Sequence, residues 1–133
     1  MNNPPDIAYA ELHCLTNFSF LRAASLPQEL LQQAHDLGYQ ALALTDECSV
    51  AGLVRAYQNK KEHKLDIKLI IGSEFLLKPH QTQAQESLVV LAKNRQGYAQ
   101  LCQLISLARR RCEKGKYQVF GHDFKDLSEC LLI

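Results

Sequence analysis

ALALTD, residues Ala41–Asp46, is an apolar run that ends on a carboxylate. A short strand that is apolar throughout is typical of a sheet covered on both faces. Three further apolar runs also end on polar residues, namely Ile7–His13, Ile67–Glu74 and Ser87–Asn94. Helical periodicity follows three of the four runs, which predicts parallel strands alternating with helices. We therefore expect an α/β fold.

The polar residues at the ends of the first three runs are His13, Asp46 and Glu74. In parallel α/β folds, the active site gathers at the carboxyl ends of the strands. We therefore expect these side chains to converge at one rim, where they could bind a divalent metal or act as acid and base. The alternative is that each of them satisfies local backbone hydrogen bonds.

Composition excludes several classes of protein. With 133 residues, 47% of them hydrophobic, the chain can bury one core and is expected to be one domain or part of one. The 15 basic and 14 acidic residues nearly cancel, so bulk charge indicates neither a nucleic acid nor a membrane as partner. Apolar runs stay well short of the roughly 20 residues of a membrane span. Five scattered cysteines without a Cys-x-x-Cys pair favour reduced thiols in the cytoplasm.

Periodicity predicts three helices. Ser25 is expected to cap the first helix, and Gly38 to end it. The apolar residues of Val50–Tyr57 recur at helical spacing and predict the second helix, while those of Tyr98–Ile105 predict the third. Cys14–Ala24 has no steady period and is expected to be a long loop.

Two strands have unusual ends. The third strand is expected to continue or bend at Gly72 toward Leu77. Cys130–Ile133 is predicted to form another buried strand, at which the chain stops. A closed barrel of alternating strands and helices takes roughly 250 residues. We therefore expect about half a barrel, with an apolar edge open to a partner or to a second copy of the chain.

Four segments, in order, resemble the polymerase and histidinol phosphatase (PHP) domain of bacterial C-family DNA polymerases. Glu11–Leu21, Ala43–Glu47 and Ile71–Phe75 are similar to its first three motifs, and Leu88–Gln103 is similar to the segment that follows. The segments Tyr9–Arg22 and Thr45–Arg55 are most similar to the error-prone, translesion branch of the polymerase III alpha subunit. The resemblance implies a distorted TIM-like barrel, of which residues 1–133 form the N-terminal portion.

PHP enzymes bind a metal cluster through histidines and carboxylates, and the resemblance implies that His13 and Glu74 are vestigial ligands of this kind. At other ligand positions the chain departs from the family pattern. Leu15 stands at the position of the second histidine of the first motif, and Arg22 at that of the acid that follows it. Glu47 takes the place of the histidine of the second motif, and Ser87 that of the histidine of the fourth strand. A manganese, zinc or magnesium cluster would therefore lack most of its ligands.

Other rim residues could substitute for the lost ligands. Asp46 and Glu47 offer oxygens, and Cys48 offers a soft sulfur ligand. Arg22 is a cation at a position where the family has an acid. We hypothesise that Arg22 pairs with Glu47 or Glu74 in place of the missing metal.

A basic cluster follows the third predicted helix. It is a candidate for nucleic-acid contact, because C-family polymerases handle DNA. Basic residues at a helix C-terminus also complement the helix dipole, and a charged run is usually a solvated surface. The cluster comprises Arg109, Arg110, Arg111, Lys114 and Lys116.

The favoured interpretation is a catalytically degenerate PHP module of an error-prone DNA polymerase-like protein, used in DNA replication and repair synthesis. It implies packing against the remainder of a C-family polymerase or its replication partners, and only indirect contact with DNA. The alternative is a metal-dependent phosphoesterase or a 3′–5′ proofreading exonuclease. A third possibility is a fragment that dimerises through its open edge. Whether the chain is an enzyme stays open at this point.

Overall fold

A computed structural model describes residues 7–77 and 85–133. Within these residues the chain forms five strands, three α-helices and one 3-10 helix. The strands are β1 (Ala10–Cys14), β2 (Ala41–Leu44), β3 (Lys68–Leu77), β4 (Glu86–Ala92) and β5 (Cys130–Leu132). The helices are α1 (Pro27–Asp36), α2 (Leu53–Glu62) and α3 (Arg95–Arg110), and the 3-10 helix is Gly121–Phe124.

The strands form one open sheet in the order β1-β2-β3-β4-β5. The predicted α/β class is confirmed, and β1, β2 and β3 are parallel as expected. The prediction of a parallel arrangement is wrong for the later strands, because β4 is antiparallel to β3 and β5 is antiparallel to β4. The connection between β3 and β4 spans residues 78–85, which is shorter than the dozen or so residues that a parallel crossover needs. Asn94, which follows β4, therefore does not join the rim; its side chain caps α3 by accepting from the Gly97 amide at 2.9 Å.

β3 joins the two halves of the sheet. Its first four residues pair with β2, and residues 72–77 pair with β4. The predicted continuation through Gly72 to Leu77 is confirmed. A Cβ atom at Gly72 would lie 2.7 Å from the Val90 carbonyl oxygen and 2.7 Å from Leu91 Cδ2. Only glycine allows the strands to approach this closely.

Three helices form where the sequence predicts them, but α1 and α2 begin later along the chain than predicted. The N-cap of α1 is Leu26 rather than Ser25, and the Glu29 carboxylate accepts a hydrogen bond from the Leu26 amide at 3.3 Å. Gly38 follows the helix with a φ of 77°, the left-handed conformation that glycine accepts readily. α2 begins three residues after Val50, because residues 49–52 form a loop beyond β2.

Two main apolar clusters cover the sheet. Helices α1 and α2 pack on the parallel half, where all four residues of β2 are buried as predicted. Helix α3 and the 3-10 segment pack on the antiparallel half around Phe75. The predicted strand Cys130–Ile133 is present, but the prediction of burial holds only for Cys130. Residues 131–133 are between 39% and 50% exposed, because β5 is an edge strand.

Candidate functional site

The rim forms where β1 and β2 end. His13 in β1 and the segment after β2 lie beside Glu74, which stands inside β3 rather than at its carboxyl end. Beyond the regular end of β2, the chain stays paired with β3 through a bridge between Glu47 and Glu74. The Glu74 amide donates to the Asp46 carbonyl at 3.1 Å, and the Cys48 amide donates to the Glu74 carbonyl at 2.8 Å. Glu47 and Glu74 are thereby fixed side by side on neighbouring segments.

A guanidinium group lies between these carboxylates. Arg22 Nη1 hydrogen-bonds Glu74 Oε2 and lies 3.0 Å from Glu47 Oε2. The hydrogen bond to Glu74, supported by the one to Glu47, raises the pKa of Arg22 above its usual value. His13 Nε2 lies 3.3 Å from the other oxygen of Glu74, whose side chain is only 3% exposed. The pairing expected of Arg22 is thus present, and it involves both candidate carboxylates.

Tyr117 contacts the Glu47 carboxylate through the oxygen that does not face Arg22. Its hydroxyl donates to Glu47 Oε1 at 2.8 Å and accepts from the Leu76 amide at 2.9 Å. Burial raises the pKa of the Tyr117 hydroxyl, so this group stays a neutral donor. Arg109 lies over the Tyr117 ring, 5.4 Å from its centroid, and its Nη2 donates to the Cys48 carbonyl at 3.0 Å. The sequence gives no signal for Tyr117, because it follows α3 in an irregular segment far from Glu47 along the chain.

Asp46 serves as the anchor of the loop that carries Arg22. Its buried carboxylate accepts from the Thr16 amide at 2.7 Å, the Thr16 hydroxyl at 2.8 Å and the Ser19 hydroxyl at 2.7 Å. The Ser19 oxygen in turn accepts from the Glu47 amide at 3.0 Å. Both oxygens of Asp46 are thus engaged by donors of the loop after β1. Two of these donors are side-chain hydroxyls and all are distant in sequence, so they are not the local backbone donors of the alternative interpretation.

The two cysteines nearest the rim are packed against apolar residues. The Cys48 side chain lies in the cluster around Phe75, and burial raises the pKa of its thiol to about 11. Cys14 points to the opposite face of β1 from His13 and packs on the α1–α2 cluster, where burial again raises the thiol pKa to about 11. A metal takes the thiolate, so the burial that raises these pKa values makes both sulfurs poorer ligands.

The rim does not fit the metal cluster that the resemblance to PHP enzymes implies. Within residues 7–77 and 85–133, no group of three or more histidine, cysteine or acidic side chains is placed to hold a metal ion. The two best-placed candidates, His13 and Glu74, converge where Arg22 already supplies a positive charge. A divalent cation there would be repelled by the guanidinium and would lack sufficient ligands.

The predicted basic cluster divides into two groups. Arg109 donates a hydrogen bond to the Cys48 carbonyl. Arg111 forms a bidentate salt bridge with Asp123, with N–O distances of 2.5 and 2.8 Å. The other three members of the cluster, Arg110, Lys114 and Lys116, are exposed.

Comparisons with known proteins point to the family that the sequence motifs resemble. A model of the PHP domain matches residues 11–131. The chain is 54% identical over 125 residues to the error-prone DNA polymerase of Vibrio vulnificus, and 54% identical over 126 residues to that of Idiomarina loihiensis. Each alignment covers 94% of this chain. The chain spans only 12% of the length of either relative.

Solved structures support the fold. An amidohydrolase from Chromobacterium violaceum superposes with a TM-score of 0.60 at 22% identity, over 77% of this chain and 34% of its own. A Bifidobacterium adolescentis protein, provisionally described as a metal-dependent phosphoesterase, gives a TM-score of 0.59 at 20% identity, over 80% and 35% of the two chains.

In the part of the chain that the structure describes, no helix has both the length and the apolar character needed to cross a bilayer.

Proposed function

Because this chain belongs to the PHP domain family, we propose that it is the PHP segment of an error-prone DNA polymerase-like protein and serves there as a structural module without metal chemistry. The observation that carries the proposal is the position of Arg22, whose guanidinium joins the carboxylates of Glu47 and Glu74. The high identity to polymerase N-terminal regions supports the polymerase context.

The electrostatics of the rim explain why a cation is needed there. Two neighbouring carboxylates, one of them almost fully buried, repel each other and lose hydration on folding. PHP enzymes meet this demand with metal ions, whereas this chain meets it with a side chain on the loop that follows β1. A planar guanidinium can hydrogen-bond two carboxylates at once, which a lysine ammonium does with less geometric fit.

The same network connects parts of the chain that are distant in sequence. Arg22 belongs to the loop after β1, Glu47 to the loop after β2, and Tyr117 to the segment after α3. Their contacts hold these three segments together at the rim. A rim that is closed by internal contacts suits a module whose role is packing rather than catalysis.

The proposed partner is the remainder of a C-family polymerase. Relatives extend far beyond the matched region, since this chain covers about an eighth of their length. The edge strand and the residue after it expose the apolar side chains of Leu131, Leu132 and Ile133, on which further polypeptide could pack. The same edge could instead mediate self-association, which sedimentation of the isolated chain would reveal. A cytoplasmic location follows from the proposal, because the relatives are bacterial DNA polymerases.

Titration of the purified chain with Mn²⁺ and Zn²⁺, monitored by metal analysis and thermal melting, tests the proposal. We expect no stoichiometric metal, an unchanged melting temperature and no phosphoesterase or 3′–5′ exonuclease activity. A metal at about 100 times its Kd would stabilise the chain by about 2.7 kcal/mol, which melting detects easily.

Two histidine variants locate any metal that does bind. His13→Ala removes a rim nitrogen, whereas His63→Ala removes an exposed imidazole at the end of α2. Stoichiometric binding that His13→Ala abolishes and His63→Ala preserves would overturn the proposal in favour of a metal-dependent phosphoesterase or exonuclease. Binding that is lost only with His63→Ala would be a surface effect and would leave the proposal standing.

A further inference from the structure

Positive charge is concentrated at the C-terminal end of α3. Segment 109–125 contains six lysine and arginine residues and two acidic residues, a net charge of +4, whereas the whole chain carries +1. The chain folds back after α3, because the Gln118 amide donates to the Ala108 carbonyl at 3.1 Å. This return brings the chain back against the C-terminal end of α3.

Most of this charge faces solvent. The acidic side chain of Asp123 is 3% exposed and is covered by the two hydrogen bonds from Arg111. Arg110, Lys114 and Lys125 are exposed and form no salt bridge with any residue that the structure describes. Lys116 contacts Glu113 at 3.4 Å, a largely exposed pair that contributes little.

Two aromatic rings lie within the same charged segment. The rings of Phe120 and His122 are parallel within 9°, with centroids 5.5 Å apart, and are therefore offset-stacked. The Arg111 guanidinium lies 5.0 Å from the Phe120 centroid and holds that ring in place. The His122 side chain remains 67% exposed, and Phe120 is 42% exposed. The stack is thus preorganised and accessible.

Exposed cations beside exposed planar rings match the chemistry of a single-stranded nucleic acid. Its phosphates pair with lysine and arginine, and its unstacked bases lie against aromatic and imidazole faces. A duplex would offer the phosphates but keep its bases stacked. An acidic peptide would use the cations and leave the rings without a role.

We propose that this basic surface binds single-stranded DNA, with phosphates on the cations and a base stacked on His122. The surface comprises Arg110, Lys114, Lys116, Phe120, His122 and Lys125. The choice of DNA over RNA rests on the proposed polymerase context. The surface itself shares no residue with the rim, so the two proposals can fail separately.

Fluorescence anisotropy of the 133-residue chain with a labelled oligothymidylate of about 20 nucleotides tests this proposal. Four phosphate contacts give a slope of log K against log salt of about −2.8, or a roughly 50-fold loss between about 50 and 200 mM salt. Lys114→Gln with Lys116→Gln should reduce the slope to about −1.4. His122→Ala should weaken binding about fivefold without changing the slope.

The control is Lys61→Gln with Lys64→Gln, which removes the same charge from exposed positions near the end of α2. Binding by this variant should stay within about twofold of the parent chain. An absence of binding, or an equal loss in the control variant, would overturn the basic surface as the site. Unchanged binding by His122→Ala, or duplex DNA bound as tightly as the single strand, would overturn the stacking role. Neither result would alter the metal and melting behaviour of the rim.

Discussion

Replacing Arg22 with alanine removes the cation that joins the two rim carboxylates. Glu74, 3% exposed at its side chain, would be left facing His13 at 3.3 Å, and Glu47 would keep its hydrogen bond from Tyr117. The Arg22 side chain itself is 35% exposed. The perturbation therefore concerns one buried carboxylate and one partly exposed carboxylate.

The expected loss lies between two known limits. Exposed ion pairs contribute about 0–1 kcal/mol, whereas breaking a buried pair costs about 3–5 kcal/mol. Because solvent reaches Arg22 but hardly reaches Glu74, we expect a loss of about 2 kcal/mol in the free energy of unfolding. For a chain of this size, such a loss lowers the melting temperature by roughly 6–8 °C.

Urea unfolding of Arg22→Ala and of a set of comparison variants measures this effect. Arg22→Lys keeps the charge but loses the two-carboxylate fit, so it should recover about half of the loss. Arg110→Ala, an exposed arginine in the last turn of α3, is the matched control and should cost less than about 0.5 kcal/mol. A double-mutant cycle of Arg22→Ala with Glu47→Gln should give a coupling energy of about 1 kcal/mol.

Equal stability of the Arg22→Ala and Arg110→Ala variants would refute the reasoning. The bridge would then be an exposed contact with no net energy, and the rim carboxylates would need another explanation. A coupling energy near zero, combined with a large loss in Arg22→Ala, would refute only the part played by Glu47. Glu74 would then account for the whole effect.

Two further predictions concern buried carboxylates. Asp46→Asn should lower the free energy of unfolding by about 2 kcal/mol in urea, because an amide cannot accept all three hydrogen bonds from Thr16 and Ser19; a loss below about 0.5 kcal/mol would contradict the anchoring role. Hydrogen bonds from Arg111 hold the pKa of Asp123 at about 2, below its usual value. This stability is present above about pH 4 and is lost as the pH falls toward 2, by up to about 2 kcal/mol. Unfolding measured against pH should show a loss of stability in acid that is smaller in Asp123→Asn than in the parent chain.

The sequence predicts most of the first half of the fold because the relevant signals are local. The apolar run of β2 indicates burial on both faces, and Gly38 marks the end of α1. The antiparallel direction of β4 was not predicted, because an apolar run does not indicate which way its strand runs in the sheet. The signal was the short connection of residues 78–85, which permits an antiparallel turn but not a helical crossover.

For the candidate site, the sequence predicts which side chains lie near one another better than it predicts what each side chain does. His13 and Asp46 lie at or just after strand ends, and parallel pairing sets these ends beside Glu74, although β3 continues three residues beyond Glu74. The role of Asp46 depends on donors from the preceding loop, and an aspartate that binds metal has the same local sequence as one that anchors a loop. Tyr117 depends on the path of the chain after α3, which periodicity does not specify.

The difference between a metal and a tethered guanidinium bears directly on what the rim can do. A metal stabilises the fold only in proportion to its free concentration relative to its Kd. Arg22 is part of the chain, and Asp46 fixes the loop that carries it, so the entropy of bringing the cation to Glu74 is lost once, on folding. The rim therefore keeps its geometry whatever the metal supply. A packing module requires that property, whereas a hydrolytic centre would also need an open coordination position for its substrate.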